Sequence, residues 1–78
     1  MAQGLPRRRG EDQVLVRFGS RIRALRRSRG WTQYNLSDRA GLDQTYISLV
    51  ERGIPNLTFR TVIKLARAFK LPVSRVMG

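Results

Sequence analysis

The sequence predicts an all-α protein, a compact bundle of four to five short helices. Three predicted helix starts share one pattern, in which an apolar residue precedes a capping residue and a second apolar residue follows one turn later. Glycine or proline lies after these helices and supplies a stop. No segment alternates polar and apolar residues with a period of two, so no strand is predicted. The 78 residues suffice for a single domain.

The first predicted helix extends from about residue 14 to residue 29. Its apolar stripe has members three and four residues apart, which is helical spacing. These are Leu15, Phe18, Ile22 and Leu25. Gly19 lies inside this helix and costs it about 1 kcal/mol relative to alanine. Residues 1–13 show no periodicity and contain three consecutive arginines, Arg7–Arg9, so they are interpreted as a flexible basic arm.

The repeated pattern sets the starts of the next three helices. Its copies are Trp31-Thr32 before Leu36, Leu42-Asp43 before Ile47, and Leu57-Thr58 before Val62. They predict helix 2 at 33–40, helix 3 at 44–52 and helix 4 at 59–69. The expected stops are Gly41, Gly53 and Pro72. A short last helical turn is expected at 73–77. Residues 14–78 therefore form the predicted folded domain.

The charge balance and the absence of certain residue types limit the range of functions that the sequence can have. Lys and Arg number 16 against 5 acidic residues, which gives a net charge of +11. That charge indicates nucleic acid, an anionic membrane surface or an acidic protein as partner. The sequence has no Cys and no His, which excludes disulfides, Cys/His zinc sites and histidine-based catalysis. An enzyme, a metal and a cofactor are therefore not expected. No secretory or transmembrane segment is recognised, so a cytoplasmic location is expected.

Helices 2 and 3 are short and are separated by the three residues 41–43. Two such helices around a tight turn with glycine are typical of a helix-turn-helix. In helix 3, Ile47 and Val50 are expected to face the core. The opposite face then carries Gln44, Thr45, Ser48, Leu49 and Arg52. Gln pairs with adenine through two hydrogen bonds, and Leu suits the methyl group of thymine, so this face is a candidate for reading bases.

A resemblance to a known family supports this interpretation. The segment RIRALRRSRGWTQYNLSDRAGLDQTYISLVERG, continued by IPNLTFRTVIKLA, resembles the Cro/phage-repressor-like helix-turn-helix family, also called the XRE family. The patterns D-x-T-Y-I-S-x-x-E-R and N-L-T are most similar to the small controller proteins of restriction–modification systems. The resemblance covers residues 18–76 and implies a lambda-repressor-like DNA-binding domain that binds operator DNA as a homodimer.

The resemblance also implies roles for individual residues. Base contacts are expected from Gln44, Thr45, Ser48 and Leu49. Phosphate contacts are expected from Gln33, Arg52, Asn56 and Thr58, and also from the hydroxyl group of Tyr46, whose ring is expected to pack inward. Arg26 and Glu51 would form a buried ion pair between helix 1 and the end of helix 3. Asn35 and Ser37 replace the commoner Glu and Ala of helix 2, so an imperfect capping box is expected there.

The leading hypothesis is a sequence-specific DNA-binding transcriptional regulator. It would bind a pseudo-palindromic operator as a homodimer, with helix 3 in the major groove of double-stranded DNA, at the nucleoid. The alternative is an antitoxin or another protein-interaction module on the same scaffold, with a protein partner and DNA binding secondary. Membrane binding by helix 1 is disfavoured because the core needs its apolar stripe. For Arg7–Arg9 a solvated run and an arm entering a DNA groove both stay open.

Overall fold

Five helices make up the part of the chain that this computed structural model describes, residues 9–78, with side chains from Asp12 onward. They are α1 (Arg9–Ser28), α2 (Gln33–Ala40), α3 (Gln44–Glu51), α4 (Phe59–Phe69) and α5 (Val73–Met77). Within these residues no strand occurs, and the predicted all-α class is confirmed. Helices α2, α4 and α5 have the predicted bounds, and α3 ends one residue before its predicted end.

Helix α1 begins at Arg9, so the predicted start at residue 14 is too late. Residues 9–13 belong to the helix rather than to a flexible arm. The apolar stripe did not reveal them because they contain no apolar residue. Asp12 lies in the first turn, where an acidic side chain stabilises the positive end of the helix dipole. Residues 1–8, the rest of the predicted arm, lie outside the described residues.

Side chains cap the first turns of α2, α3 and α4 at the three positions that the repeated pattern predicts. The side-chain oxygens accept hydrogen bonds from backbone N–H groups in these first turns. The capping residues and their distances are Thr32 at 3.0 Å, Asp43 at 2.9 Å and Thr58 at 3.2 Å. Each bond satisfies an N–H group that has no partner within its helix.

The cap of α2 is a complete capping box. The backbone N–H of Asn35 donates to Oγ1 of Thr32 at 3.0 Å, and the backbone N–H of Thr32 donates to Oδ1 of Asn35 at 2.9 Å. The expected imperfect box is therefore wrong. The Asn side chain supplies an acceptor oxygen within reach of Thr32, as the longer Glu does in the common form of the motif.

Gly41 makes the turn between α2 and α3 possible. Its φ of 68° lies in the left-handed region, which glycine adopts without the steric penalty of a β-carbon. The backbone N–H groups of Gly41 and Leu42 both donate to the carbonyl oxygen of Ser37. The chain thus leaves α2 and reaches the cap of α3 within three residues, which fixes the two helices as a compact pair.

The hydrophobic core is built by all five helices. Its buried members are Phe18, Ile22, Leu36, Ala40, Ile47, Val50, Val62, Leu65, Ala66, Phe69 and Val76. Of the predicted stripe of α1, Phe18 and Ile22 are buried, whereas Leu15 and Leu25 are half-buried. In residues 9–78, no helix has both the length and the apolar character that crossing a membrane requires.

Gly19 lies where α1 crosses the C-terminal end of α3. A β-carbon at this position would collide with the carbonyl oxygen of Val50 and lie 2.7 Å from that of Glu51. Both obstacles are backbone atoms, so neither can rotate away as a side chain does. The absence of a side chain at Gly19 therefore sets how closely α1 approaches the end of α3.

Gly19→Ala is expected to destabilise the domain by about 1–3 kcal/mol, because the added methyl group forces the two helices apart. Helix propensity alone predicts the opposite sign, a gain of about 1 kcal/mol. Urea denaturation measures the difference. Ser20→Ala, at the exposed neighbouring position, is the matched control and should change the free energy of unfolding by less than about 0.5 kcal/mol. A stabilised Gly19→Ala variant would refute the close approach.

Candidate nucleic-acid interface

Helix α3 has one buried face and one exposed face. Ile47, Val50 and Glu51 are buried. The other face carries Gln44, Thr45 and Leu49, which are exposed, and Ser48, which is half-buried. These four residues are called the reading face below, and none of them is charged. The structure thus places the four predicted base-contacting residues together on the outer side of the second helix of a helix-turn-helix.

A buried ion pair holds the C-terminal end of α3. Nε of Arg26 donates to Oε2 of Glu51 at 2.7 Å, and its Nη2 donates to Oε1 at 3.0 Å. Nη1 of Arg26 also donates to the backbone carbonyl oxygen of Trp31 at 2.9 Å. One guanidinium group therefore joins α1, the start of α2 and the end of α3. The hydrogen bond to Glu51 raises the pKa of Arg26 against the lowering effect of burial, and the carboxylate charge raises it further.

Gln33 joins this ion pair from the first residue of α2. Its Nε2 donates to Oε1 of Glu51 at 3.1 Å, and the side chain is half-buried. The amide nitrogen carries two hydrogens, so one stays available to a further acceptor. The structure therefore fixes the orientation of a residue for which the sequence predicts a phosphate contact, and the contact itself stays a prediction.

Tyr46 lies between the reading face and the core. Its ring packs half-buried against the core, and its hydroxyl oxygen lies 3.0 Å from Oγ1 of Thr61. Oγ1 of Thr61 is in turn 3.1 Å from Oγ1 of Thr58, the cap of α4. These three hydroxyl groups form a chain that links α3 to the first turn of α4. This chain of hydroxyl groups was not predicted from the sequence, although threonines at the cap and at the third residue of a helix are a local sign of it.

The remaining predicted phosphate contacts lie on the surface after α3. Arg52 and Asn56 are exposed, as is the capping residue Thr58. Nε of Arg52 donates to the backbone carbonyl oxygen of Ser48 at 3.4 Å, which directs the arginine back along α3. The structure therefore places Arg52 at the end of the reading face, and it places Asn56 and Thr58 in the connection to α4.

A cluster of arginines and aromatic rings packs around Trp31, the residue before the cap of α2. The rings of Trp31 and Phe69 are stacked with centroids 5.5 Å apart. The guanidinium of Arg39 lies 4.4 Å from the centroid of the Trp31 ring, and that of Arg29 lies 5.5 Å from it. Cation–π contacts of this kind hold exposed arginines in fixed orientations. Arg29 precedes Trp31 closely in the sequence, but only the fold reveals the approach of Arg39.

The electrostatics of the site favour an anionic ligand. Asp43 is occupied as the cap of α3, and the carboxylate of Glu51 is paired with Arg26. No acidic side chain therefore belongs to the reading face, in a chain whose net charge is +11. Among the described residues no group of His, Cys, Asp and Glu could hold a metal ion.

Comparisons with known proteins agree with this geometry. The chain is 45% identical over 58 residues to an uncharacterised HTH-type transcriptional regulator, y4dJ, of Sinorhizobium fredii, covering 74% of this chain and 73% of that protein. It is 35% identical over 60 residues to the immunity repressor protein of Bacillus phage phi105. That match covers 77% of this chain but only 42% of the repressor, so this chain spans less than half the repressor's length.

A solved structure and a family model identify the family of this chain. The fold is similar to the crystal structure of the restriction-modification controller protein C.AhdI from Aeromonas hydrophila, with a TM-score of 0.76 and 39% identity. This match covers 80% of the chain and 94% of C.AhdI. The model of the helix-turn-helix family HTH_3 matches residues 22–76. The resemblance expected from the sequence is confirmed, and the chain belongs to the helix-turn-helix family HTH_3.

Proposed function

We propose that this protein is a sequence-specific DNA-binding transcriptional regulator. It binds a pseudo-palindromic operator as a homodimer, and each copy inserts α3 into the major groove of double-stranded DNA. The observation that carries the proposal is the uncharged, polar reading face, which is held outward by a buried ion pair and a capped turn. The names of the relatives, a transcriptional regulator, a phage repressor and a controller protein, support it.

The chemistry of the reading face suits the edges of bases. Gln44 lies at the first residue of α3, and its amide can donate to N7 and accept from N6 of one adenine. Thr45 and Ser48 offer hydroxyl groups that donate and accept, and Leu49 offers an apolar contact. Residues of this kind distinguish bases by hydrogen-bonding pattern and shape rather than by charge.

The phosphate contacts proposed around α3 come from both of its ends. Gln33 keeps one amide hydrogen after its bond to Glu51, and Arg52 offers a guanidinium group. Asn56 and Thr58 would meet the backbone from the connection to α4. The hydroxyl of Tyr46 would donate to a phosphate while accepting from Thr61. Such contacts fix the register of a protein on DNA, and base contacts then select the sequence. Because genomic DNA is the proposed ligand, the proposed location is the cytoplasm, at the nucleoid.

Selection from a library of random DNA duplexes tests the proposal. A dimeric regulator enriches an inverted repeat whose half-sites lie about one helical turn, roughly 34 Å, apart. The enriched duplex is then bound by the protein at two salt concentrations, next to a scrambled duplex. Binding without any enriched sequence, weakening equally for both duplexes with salt, would contradict the proposal and favour a protein as the true partner.

Gln44→Ala is expected to weaken binding to the enriched operator by about 1–3 kcal/mol and to relax the base preference at one position of each half-site. The matched variant is Arg52→Ala, which removes a proposed phosphate contact and should weaken binding to all sequences alike. Affinities for a panel of single-base operator variants measure both effects. Equal losses at every base position for Gln44→Ala would show that Gln44 does not read a base.

A further inference from the structure

Leu49 is an apolar residue in the middle of a polar face. Its side chain is 37% exposed, and it is the large apolar residue that α3 leaves open to solvent. The inward side of α3 is already filled by Ile47 and Val50, which are buried in the core. An exposed leucine is ordinary on a protein surface, so the position of Leu49, rather than its exposure, is the informative observation.

The helical geometry places Leu49 on the outermost line of the reading face. It lies one turn after the exposed Thr45, so both project from the same side of α3. The next residue near that line is Arg52, whose Nε is bonded to the carbonyl oxygen of Ser48 at the end of the helix. The charged side chain within α3 is Glu51, which is buried and paired with Arg26, so the exposed side of this helix is uncharged. A surface that contacts Thr45 from this side of α3 therefore also contacts the side chain of Leu49.

We infer that Leu49 reads the C5-methyl group of a thymine, an inference that rests on the proposed function. The floor of the major groove presents hydrogen-bonding groups for every base pair and one apolar group, the thymine methyl. At a C·G pair, Leu49 would find no methyl group to cover and would lose the apolar contact that thymine offers. The operator half-site therefore carries a T·A pair at the level of Leu49.

The same chemistry makes the contact responsive to methylation. A side chain that reads a methyl group, and not the pattern of donors and acceptors around it, also accepts the methyl group of 5-methylcytosine. A cytosine at this position is then disfavoured, and methylation of its C5 atom recovers part of the lost affinity. Leu49 thus distinguishes bases by the presence of one carbon atom.

Duplexes of the enriched operator with single thymines replaced by deoxyuridine test the inference, since uracil differs from thymine only by the missing methyl group. For the parent protein, uracil at one position of the half-site should weaken binding about fourfold, and about 15-fold when both half-sites are substituted. Uracil at the other positions should have less effect. 5-Methylcytosine in place of cytosine at the sensitive position should recover about fourfold.

Two variants assign the effect to the side chain. Leu49→Ala should bind thymine and uracil operators equally, and Leu49→Met, which keeps an apolar side chain of similar reach, should keep the penalty for uracil. Specific binding by the parent with no sensitive thymine, or an unchanged penalty in Leu49→Ala, would overturn the inference and leave the proposed function intact. Failure to enrich any operator would overturn both.

Discussion

Glu51→Gln is expected to lower the free energy of unfolding by about 3–5 kcal/mol, because it leaves the buried guanidinium of Arg26 without a counter-charge. The substitution is nearly isosteric, so the loss reports the charge rather than a cavity. Three groups lose their arrangement together, since Oε1 of Glu51 also accepts from Gln33 and Arg26 also binds the carbonyl oxygen of Trp31. Against a total stability of roughly 5–15 kcal/mol for small domains, this is a large fraction. Urea denaturation at neutral pH measures it.

Asp38→Asn is the matched control for Glu51→Gln, because it makes the same chemical change at an exposed position of α2. It should change the free energy of unfolding by less than about 0.5 kcal/mol. A double variant, Arg26→Met with Glu51→Leu, removes both buried charges and should recover much of the stability that Glu51→Gln loses. A loss below about 0.5 kcal/mol for Glu51→Gln would mean that the ion pair does not stabilise the domain.

Operator affinity is expected to fall steeply with salt, by about 10³–10⁵-fold between roughly 50 and 200 mM, if the proposed dimer neutralises about 6–10 phosphates. The physical reason is the release of counterions from DNA when basic side chains replace them. With 16 basic and 5 acidic residues, each copy has an ample supply of such side chains. Fluorescence anisotropy of a labelled operator over a series of salt concentrations gives the slope.

Two variants separate the contributions to this slope. Arg52→Ala should make the slope shallower by about one for each copy of the protein, since one proposed phosphate contact is lost per half-site. Gln44→Ala should lower the affinity and leave the slope unchanged, because a neutral base contact releases no counterion. An affinity that hardly varies with salt would argue against a phosphate-binding surface altogether.

The helices could be predicted closely because their starts depend on neighbouring residues. Thr32, Asp43 and Thr58 each bond to a backbone N–H two or three residues ahead, so the sequence alone contains both partners. The start of α1 at Arg9 was not visible in this way, because its first turn contributes nothing to the apolar stripe. The end of α4 was predicted from Pro72, whereas the left-handed conformation of its C-cap residue, Lys70, with a φ of 58°, has no signal in the sequence.

The arrangement around the candidate site was harder to predict because it depends on which helices pack together. Arg26 and Glu51 are 25 residues apart, and only the family resemblance connected them. The bonds from Gln33 to Glu51 and from Tyr46 to Thr61 link different helices and follow from no spacing in the sequence. From the sequence, Gly19 only lowers the stability of a helix, whereas in the fold it lies against the backbone of Val50 and Glu51. The assignment of the reading face to bases stays a prediction.

The residues that anchor α3 and those that form its reading face are separate sets. Ile47, Val50 and Glu51 hold the helix, whereas the side chains of Gln44 and Leu49 project into solvent. Substitutions at such exposed positions usually change stability by no more than about 0.5 kcal/mol. Under the proposed function, base selection and folding can consequently evolve independently in this domain. Duplicated copies of the gene could acquire different operators one substitution at a time, and every intermediate protein would still fold.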